Sequence, residues 1–301
     1  MATGQPGIFA QGTRAHYHLE LDLRPDAELE AVIDALRRLG EPHVTAGGLN
    51  LVVGFGAGLW AGLAPDGQVP VGLRPFAPIA GTPHAVPATQ HDVWVWLHGT
   101  GPDLLLDGAR AVAAIFAPVA TLAAECPGFV YQDSRDLTGF VDGTENPPVA
   151  TAPETALVPQ GSAGEGGSFV VAMRWVHDLA AFDALAVAEQ EGVIGRTKPD
   201  SVELDDAVKP RTAHIARVVI EEGGEELEIY RRSVPYGTVG EHGLFFVAFS
   251  AEVSRFDKML GRMFGTAGDG LHDRLTDFTR PVSAAYDVAP ALETFAAVVG
   301  R

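Results

Sequence analysis

The hydrophobic and polar positions of this chain fall into four similar units, each a short apolar strand, a polar turn and a helix. In HYHLELDLRPDAELEAVIDALRRLG, His16, His18, Glu20 and Asp22 alternate with Tyr17, Leu19, Leu21 and Leu23, the period of a strand with two unlike faces. Asp26 is placed to cap the following helix, on which Leu29, Val32, Ile33 and Leu36 form one stripe, and Gly40 is placed to end it. The second unit alternates Val93, Val95 and Leu97 with Trp94 and Trp96, and a helix follows from about Asp103. In the third, Asp178 is an N-cap for a helix carrying Leu179, Phe182 and Leu185. In the fourth, a strand ends near Ser250, and Val253, Phe256, Met259, Leu260 and Met263 line a helix.

Further strand-like runs lie between the units: LNLVVGFG in the first half, AHIARVVI and ELEIYRRSV in the second. The pattern is a duplicated strand–helix–strand–strand–helix–strand. It predicts an α+β fold, an antiparallel sheet with helices on one face, repeated, with the two sheets packed face to face or side by side. The expected division is residues 1–144, a Pro-, Gly- and Ala-rich connecting loop at 145–167, and residues 168–301.

Composition narrows the partners. Thirty-nine acids against 21 bases leave a formal charge of −18, which opposes nucleic acids and anionic membranes. The single cysteine, Cys126, excludes an intrachain disulfide and a cysteine-rich zinc site. MATGQPGIFAQGTRAH has neither the basic nor the apolar segment of a secretory signal, and no apolar run is long enough for a membrane helix, so a cytoplasmic protein is expected.

The chemistry concentrates in TGFVDGTENPP, where Asp142 stands in a loop pinned by Gly139, Gly143 and Pro147. Asp-Gly is a common turn pair, so Asp142 is either a turn residue or a carboxylate held ready for a ligand. Among ten histidines, His16 and His18 share a strand face at a chelating spacing but have no third ligand in view. His214, in KPRTAHIARVVI, sits where a polar loop becomes an apparent strand, a place from which a ring can enter a cavity. Arg231 and Arg232 are neighbours on a strand and should face opposite ways. There is no GxSxG, Walker A loop, GxGxxG or HExxH. Asp142 and Glu145 lie on one loop, a poor arrangement for the two carboxylates of a glycosidase.

Taken together, GFVDGTENP, AHIARVVIEEGGEELEIYRRSVPYG, GVIGRTKPDSVELDD, EHGLFFVAF and DRLTDFTRPVSAAYDVAP resemble the motifs of the dye-decolorising peroxidases, with the compact bacterial B type as the nearest pattern. The resemblance covers most of the C-terminal half in motif and the N-terminal half in pattern, and it implies an α+β fold of tandem ferredoxin-like halves, antiparallel sheets with helices packed on the outside as in a dimeric α+β barrel. It implies heme b, one per chain, with His214 as the iron ligand, Asp142 as the distal acid and Arg231 as the distal arginine. It implies Asp277 as the acid on the ligand histidine's far nitrogen and Arg196 near the propionates. Thr144 and Glu145 would line the heme edge, and Phe246 would pack on the ring. Ser233 departs from the asparagine of many relatives.

The implied activity is oxidation of dyes, phenolics or other small donors by hydrogen peroxide through a ferryl state. Heme handling without turnover is the alternative, and a cofactor-free binding module has no use for the distal pair. A homo-oligomer is expected from the family. The chain ends in AAVVGR with no long tail of the kind that docks some relatives in a protein compartment. An aspartate shuttle favours acidic turnover unless burial raises its pKa. Candidate surface relays for bulky donors are Trp60, Trp94, Trp96, Trp175, Tyr131, Tyr230, Tyr236 and Tyr286, each equally explained by packing.

Overall fold

The alternation in the first unit becomes a strand with a helix-facing side and a barrel-facing side. In the computed structural model, which describes residues 2–300, β1 spans Ala15–Leu23 and packs Leu19 and Leu21 against helices. Those helices are α1 (Leu29–Leu39) and, later in the chain, α3 (Pro102–Phe116), which present Val32, Leu36, Leu105, Val112 and Phe116 to one apolar cluster. The N-cap of α1 is Glu28, whose side chain makes no capping bond; Asp26 lies two residues too early to cap it. Gly40 ends the helix as expected, at φ 88°.

The first half continues through β2 (Leu49–Gly56), α2 (Ala57–Leu63), β3 (Val93–Gly99) and, after α3, β4 (Ala120–Phe129). A short α4 (Ala152–Ala156) sits in the connecting segment. The second half opens with β5 (Ser168–His177), then α5 (Leu179–Asp183), capped by Asp178 accepting from the Ala181 amide, and α6 (Val187–Ile194). Then come α7 (His214–Val218), a two-residue hairpin of β6 (Glu221–Glu222) and β7 (Glu225–Glu226), β8 (Tyr230–Arg231), β9 (Val234–Gly237) and β10 (His242–Ser250). α8 (Val253–Met263), β11 (Thr279–Ala289) and α9 (Leu292–Val298) complete it.

The strands β2-β3-β1-β4 form one half-sheet and β9-β10-β5-β11 the other, with the same order of first, second, third and fourth strand in each. β4 pairs with β9, and β2 with β11, so the two half-sheets share their edges and close a barrel. Closure removes the exposed edges that each half would carry alone. No helix among the described residues is long and apolar enough to cross a membrane.

Two expected strands are different. Within AHIARVVI, His214–Val218 form the helix α7, closed by the Val219 amide donating to the Ile215 carbonyl, and Arg217 on its buried side bonds Asp269 and the Arg262 carbonyl. ELEIYRRSV is only partly strand: β8 and β9 lie in line along β10, interrupted at Arg232 and Ser233.

The barrel interior is polar for a core. His16, His18 and Glu20 are all under 5% exposed. His18 stacks on Phe245 at 3.9 Å between ring centroids, and the Trp96 indole N–H donates to His16 Nδ1 at 3.1 Å. Burial holds the His16 and His18 imidazoles well below their usual pKa, so both are neutral. Of the candidate relay aromatics only Tyr131 is not buried.

Glu20 carries a measurable cost. Burial pushes its carboxyl up to about 7, His91 at 3.8 Å pulls it down, and Asp22 adds to the rise. An unfolded glutamate releases its proton near pH 4.3, whereas the folded one keeps it to about 7. Between those values the folded chain holds the extra proton, so this group's contribution to stability falls as pH rises. Glu20→Gln should therefore stabilise the protein at pH 8 by on the order of 2 kcal/mol and lose that advantage below pH 4. Thermal unfolding across this range checks it, and a difference independent of pH would contradict it.

Candidate active site

The loop after β4 is built to hold one carboxylate still. Gly139 and Gly143 sit at φ 87° and 78°, the left-handed region that a side chain disfavours. A Cβ on Gly139 would also lie 2.7 Å from Lys198 Cε. Arg135 ties the loop to its neighbour by donating to the carbonyls of Gly139, Lys198 and Pro199. Between these anchors the Asp142 amide donates to the Ser134 carbonyl at 2.9 Å. The turn geometry thus fixes the position of the Asp142 carboxylate.

The same loop fixes the arginine strand. Asn146 donates through Nδ2 to the Arg231 carbonyl at 2.7 Å, and its Oδ1 accepts from the Arg231 amide at 2.9 Å. Asp142 and Arg231 are therefore coupled through four residues of chain and one side-chain clamp. Sequence reasoning missed Asn146; its only sequence signal was its place in the pinned GTENP run.

Asp142, Arg231 and His214 line one apolar cavity of about 210 Å³. Its walls are the outer face of β5 and β10, where Met173, Trp175 and Phe246 point away from the barrel, and the apolar side of α8. Thr144, Glu145 and Arg196 also line it. Arg196 bonds Glu145 and the Ser201 carbonyl and lies 3.6 Å from Glu203. A second cavity, of about 350 Å³ and polar, shares Asp142, Gly143 and Arg231 with the first and adds Asn146, Ser233 and Arg14. The acid and the arginine thus stand where an apolar chamber meets a polar one.

Arg231 lines both cavities. Arg232 lines only the polar one, and its guanidinium lies 5.1 Å over the Trp96 ring and donates to the Ile8 carbonyl inside the barrel. Ser233 also lines the polar cavity, but its hydroxyl is partly committed. It accepts from the Val247 amide at 3.2 Å, a donor that faces the β8–β9 interruption.

His214 opens α7 and directs Nδ1 at Asp273 Oδ2, 2.6 Å away. Asp273 is fully buried, and its other oxygen accepts from the Leu275 amide at 2.9 Å. A carboxylate partner fixes the proton on Nδ1 and leaves Nε2 as the donor atom toward the cavity. The expected partner, Asp277, is elsewhere: its Oδ1 bonds His84 and His272. The 3-10 turn Arg274–Asp277 explains the difference, because it carries Asp277 off to the surface while its N-cap, Asp273, faces α7.

Two acids beside the cavity have been driven apart. Burial raises Asp142, and Asp136 adds to the rise, against the pull of Arg231. Asp136 is also buried, but bonds from His177 at 3.0 Å and from Thr138 outweigh that and hold it low. The two neighbouring acids are thus pushed in opposite directions, Asp136 toward the ionised form and Asp142 toward the protonated one. Among the described residues, His16 and His18 gain no third metal ligand.

The apolar slab, the imidazole with one nitrogen anchored and the other free, and an arginine at the rim fit a flat, largely apolar prosthetic group with anionic edges. The model of the N-terminal part of the Dyp-type peroxidases matches residues 5–130, and that of the C-terminal part matches residues 133–294. A dye-decolorizing peroxidase of Rhodococcus erythropolis is 38% identical over 257 residues, 84% of this chain and 75% of the relative. A putative Dyp-type peroxidase structure from Shewanella oneidensis has a TM-score of 0.89 at 32% identity, covering 98% of both chains. A DypB variant from Rhodococcus jostii, in complex with heme, has a TM-score of 0.88 at 32% identity, covering 95% of this chain and 96% of that one. By sequence along both halves and by fold along nearly its whole length, the chain belongs to the Dyp-type peroxidase family.

Proposed function

We propose that this protein is a heme peroxidase in which His214 holds the iron of heme b, Asp142 moves the peroxide proton and Arg231 stabilises the charge on the breaking O–O bond. The observation that carries the reading is the convergence of these three side chains on one apolar cavity, with Asp142 and Arg231 also open to a polar one. Heme held in this cavity would supply a redox-active iron able to react with peroxide and store its oxidising equivalents. Asp273 orients His214 and keeps Nδ1 protonated, which makes Nε2 a stronger donor. Asp142 accepts a proton from the near peroxide oxygen and returns it to the far one, which leaves as water. Arg231, always cationic and held by Asn146, offers fixed donors to that departing oxygen. Phe246, Thr144, Glu145 and Arg196, which line the same cavity, would hold the ring and its anionic edge.

The polar cavity supplies peroxide and takes away water, with Ser233 as one of its hydroxyls. The reducing substrate is a dye, a phenolic or another small donor. The family's expected homo-oligomer would form through outer surfaces, since each half-sheet edge is already paired within the chain; the proposed location is the cytoplasm.

The test is direct. Heme-loaded protein should show a Soret band and oxidise a small dye only when hydrogen peroxide is added. Because Asp142 must be ionised to take a proton and its pKa is raised, the acidic limb of the peroxide-consumption profile should lie above that of an ordinary aspartate. That limb should vanish in Asp142→Asn. Lack of a Soret band would overturn the cofactor assignment, and an unchanged acidic limb in Asp142→Asn would overturn the role of Asp142.

A further inference from the structure

The turn that presents Asp273 to His214 carries two more groups on its outer side. His272 precedes Asp273, and Asp277 closes the 3-10 helix that follows. A third group arrives from the other half of the chain. The long loop between α2 and β3 is pinched where Ile79 and Val86 pair, and this brings His84 to the turn. His84 Nε2 lies 2.8 Å from Asp277 Oδ1, and His272 Nε2 lies 3.0 Å from the same oxygen. The two rings meet at 66° with centroids 5.8 Å apart, so neither blocks the other.

Two nitrogens and one carboxylate oxygen thus lie within 4.8 Å of one another, the only such group of three among the described residues. Packing holds the two segments in this relation. A Cβ at Gly81 would fall 2.3 Å from the Phe264 carbonyl and 2.4 Å from the His84 carbonyl, so the loop lies directly on the chain leading to His272. The side chains are each about one-third exposed, enough for an ion and its water to reach them.

We propose that His84, His272 and Asp277 form a divalent transition-metal site outside the heme cavity. Imidazole nitrogen with one carboxylate suits Zn²⁺ and its first-row neighbours; Ca²⁺ and Mg²⁺ take oxygen sets. Three protein ligands leave a coordination position for water. The bound ion replaces the two histidine–aspartate hydrogen bonds with bonds to a common centre. It also ties the 79–86 loop to the turn whose next residue, Asp273, holds His214. The site is a brace on the proximal side of the cavity, and its existence does not depend on the heme assignment.

The experiment uses the heme-loaded protein, stripped of loose metal with a chelator and dialysed against Zn²⁺ at low micromolar concentration, with zinc and protein measured by elemental analysis and absorbance. One zinc per chain is expected, with a rise in the unfolding temperature that follows zinc concentration. His84→Ala and Asp277→Asn should each weaken binding by at least about tenfold and remove the temperature rise, since loss of a direct ligand costs no less than loss of a supporting residue. His43→Ala, at an exposed histidine bonded to the Glu41 carbonyl, should change neither. Asp277→Asn preserves shape, so it remains informative if the alanine variant folds poorly. Zinc bound equally by wild type and Asp277→Asn, or no zinc bound by wild type at 100-fold higher concentration, would overturn the site.

Discussion

His214→Ala should lose heme on purification, with affinity falling by about 100-fold or more. The variant removes the one imidazole on the cavity wall provided by α7, and the remaining wall there, Ile215 and Val218, has no donor to iron. It also leaves Asp273 buried without the histidine that it binds at 2.6 Å. A buried polar group stripped of its hydrogen-bond partner costs about 1–3 kcal/mol, so the variant should also unfold at lower temperature. The two effects separate by adding free imidazole, which fits the vacated space and meets Asp273 through one ring nitrogen. Imidazole should restore the Soret band and part of the stability. Retention of an unaltered five-coordinate histidine spectrum in His214→Ala would show that another residue holds the iron. Asp273→Asn is the complementary variant: heme stays, and the ligand field weakens because an amide accepts less strongly from Nδ1.

How far the sequence reaches can be seen at His214 itself. Its standing as a candidate ligand comes from the order in which histidine, arginine and the GFVDGTENP loop occur. Its secondary structure differs from the expected strand, since a short segment such as HIARV, buried at Ile215 and Arg217, satisfies strand and helix templates alike. The choice of Asp277 over Asp273 fails for a different reason. Four residues separate them, and only the direction of a single 3-10 turn decides which one is turned inward. The duplicated pattern carries the succession of strands and helices in each half, whereas the spatial order of the strands is seen in the sheet itself. That the halves close on each other depends on β4–β9 and β2–β11 pairing, between residues more than 100 positions apart, which no local pattern encodes. The polar face of β1 is the sharpest case: alternation identified His16, His18 and Glu20 as one face, but only barrel closure makes that face interior.

Arg231→Leu should slow peroxide consumption by about 10²–10³-fold, the usual cost of deleting one fixed donor aimed at developing charge. Asp142→Asn should cost less, roughly tenfold, at the low end for a proton shuttle because the polar cavity beside it gives water a route to the same oxygens. Water can carry a proton but cannot supply a permanent cation. Arg231→Lys should recover only part of the rate, since it restores the charge without the planar fork. Asn146→Ala provides the structural comparison: it leaves the guanidinium in place but releases both backbone bonds that fix it. Its loss should therefore fall between those of Arg231→Lys and wild type. The pH profile joins the two residues. Arg231 is what pulls Asp142 down against burial, so its removal should move the acidic limb of the remaining activity to higher pH. A rate loss without that movement would place Arg231 beyond electrostatic reach of the acid; wild-type rates in both Arg231→Leu and Asp142→Asn would remove the pair from the reaction altogether.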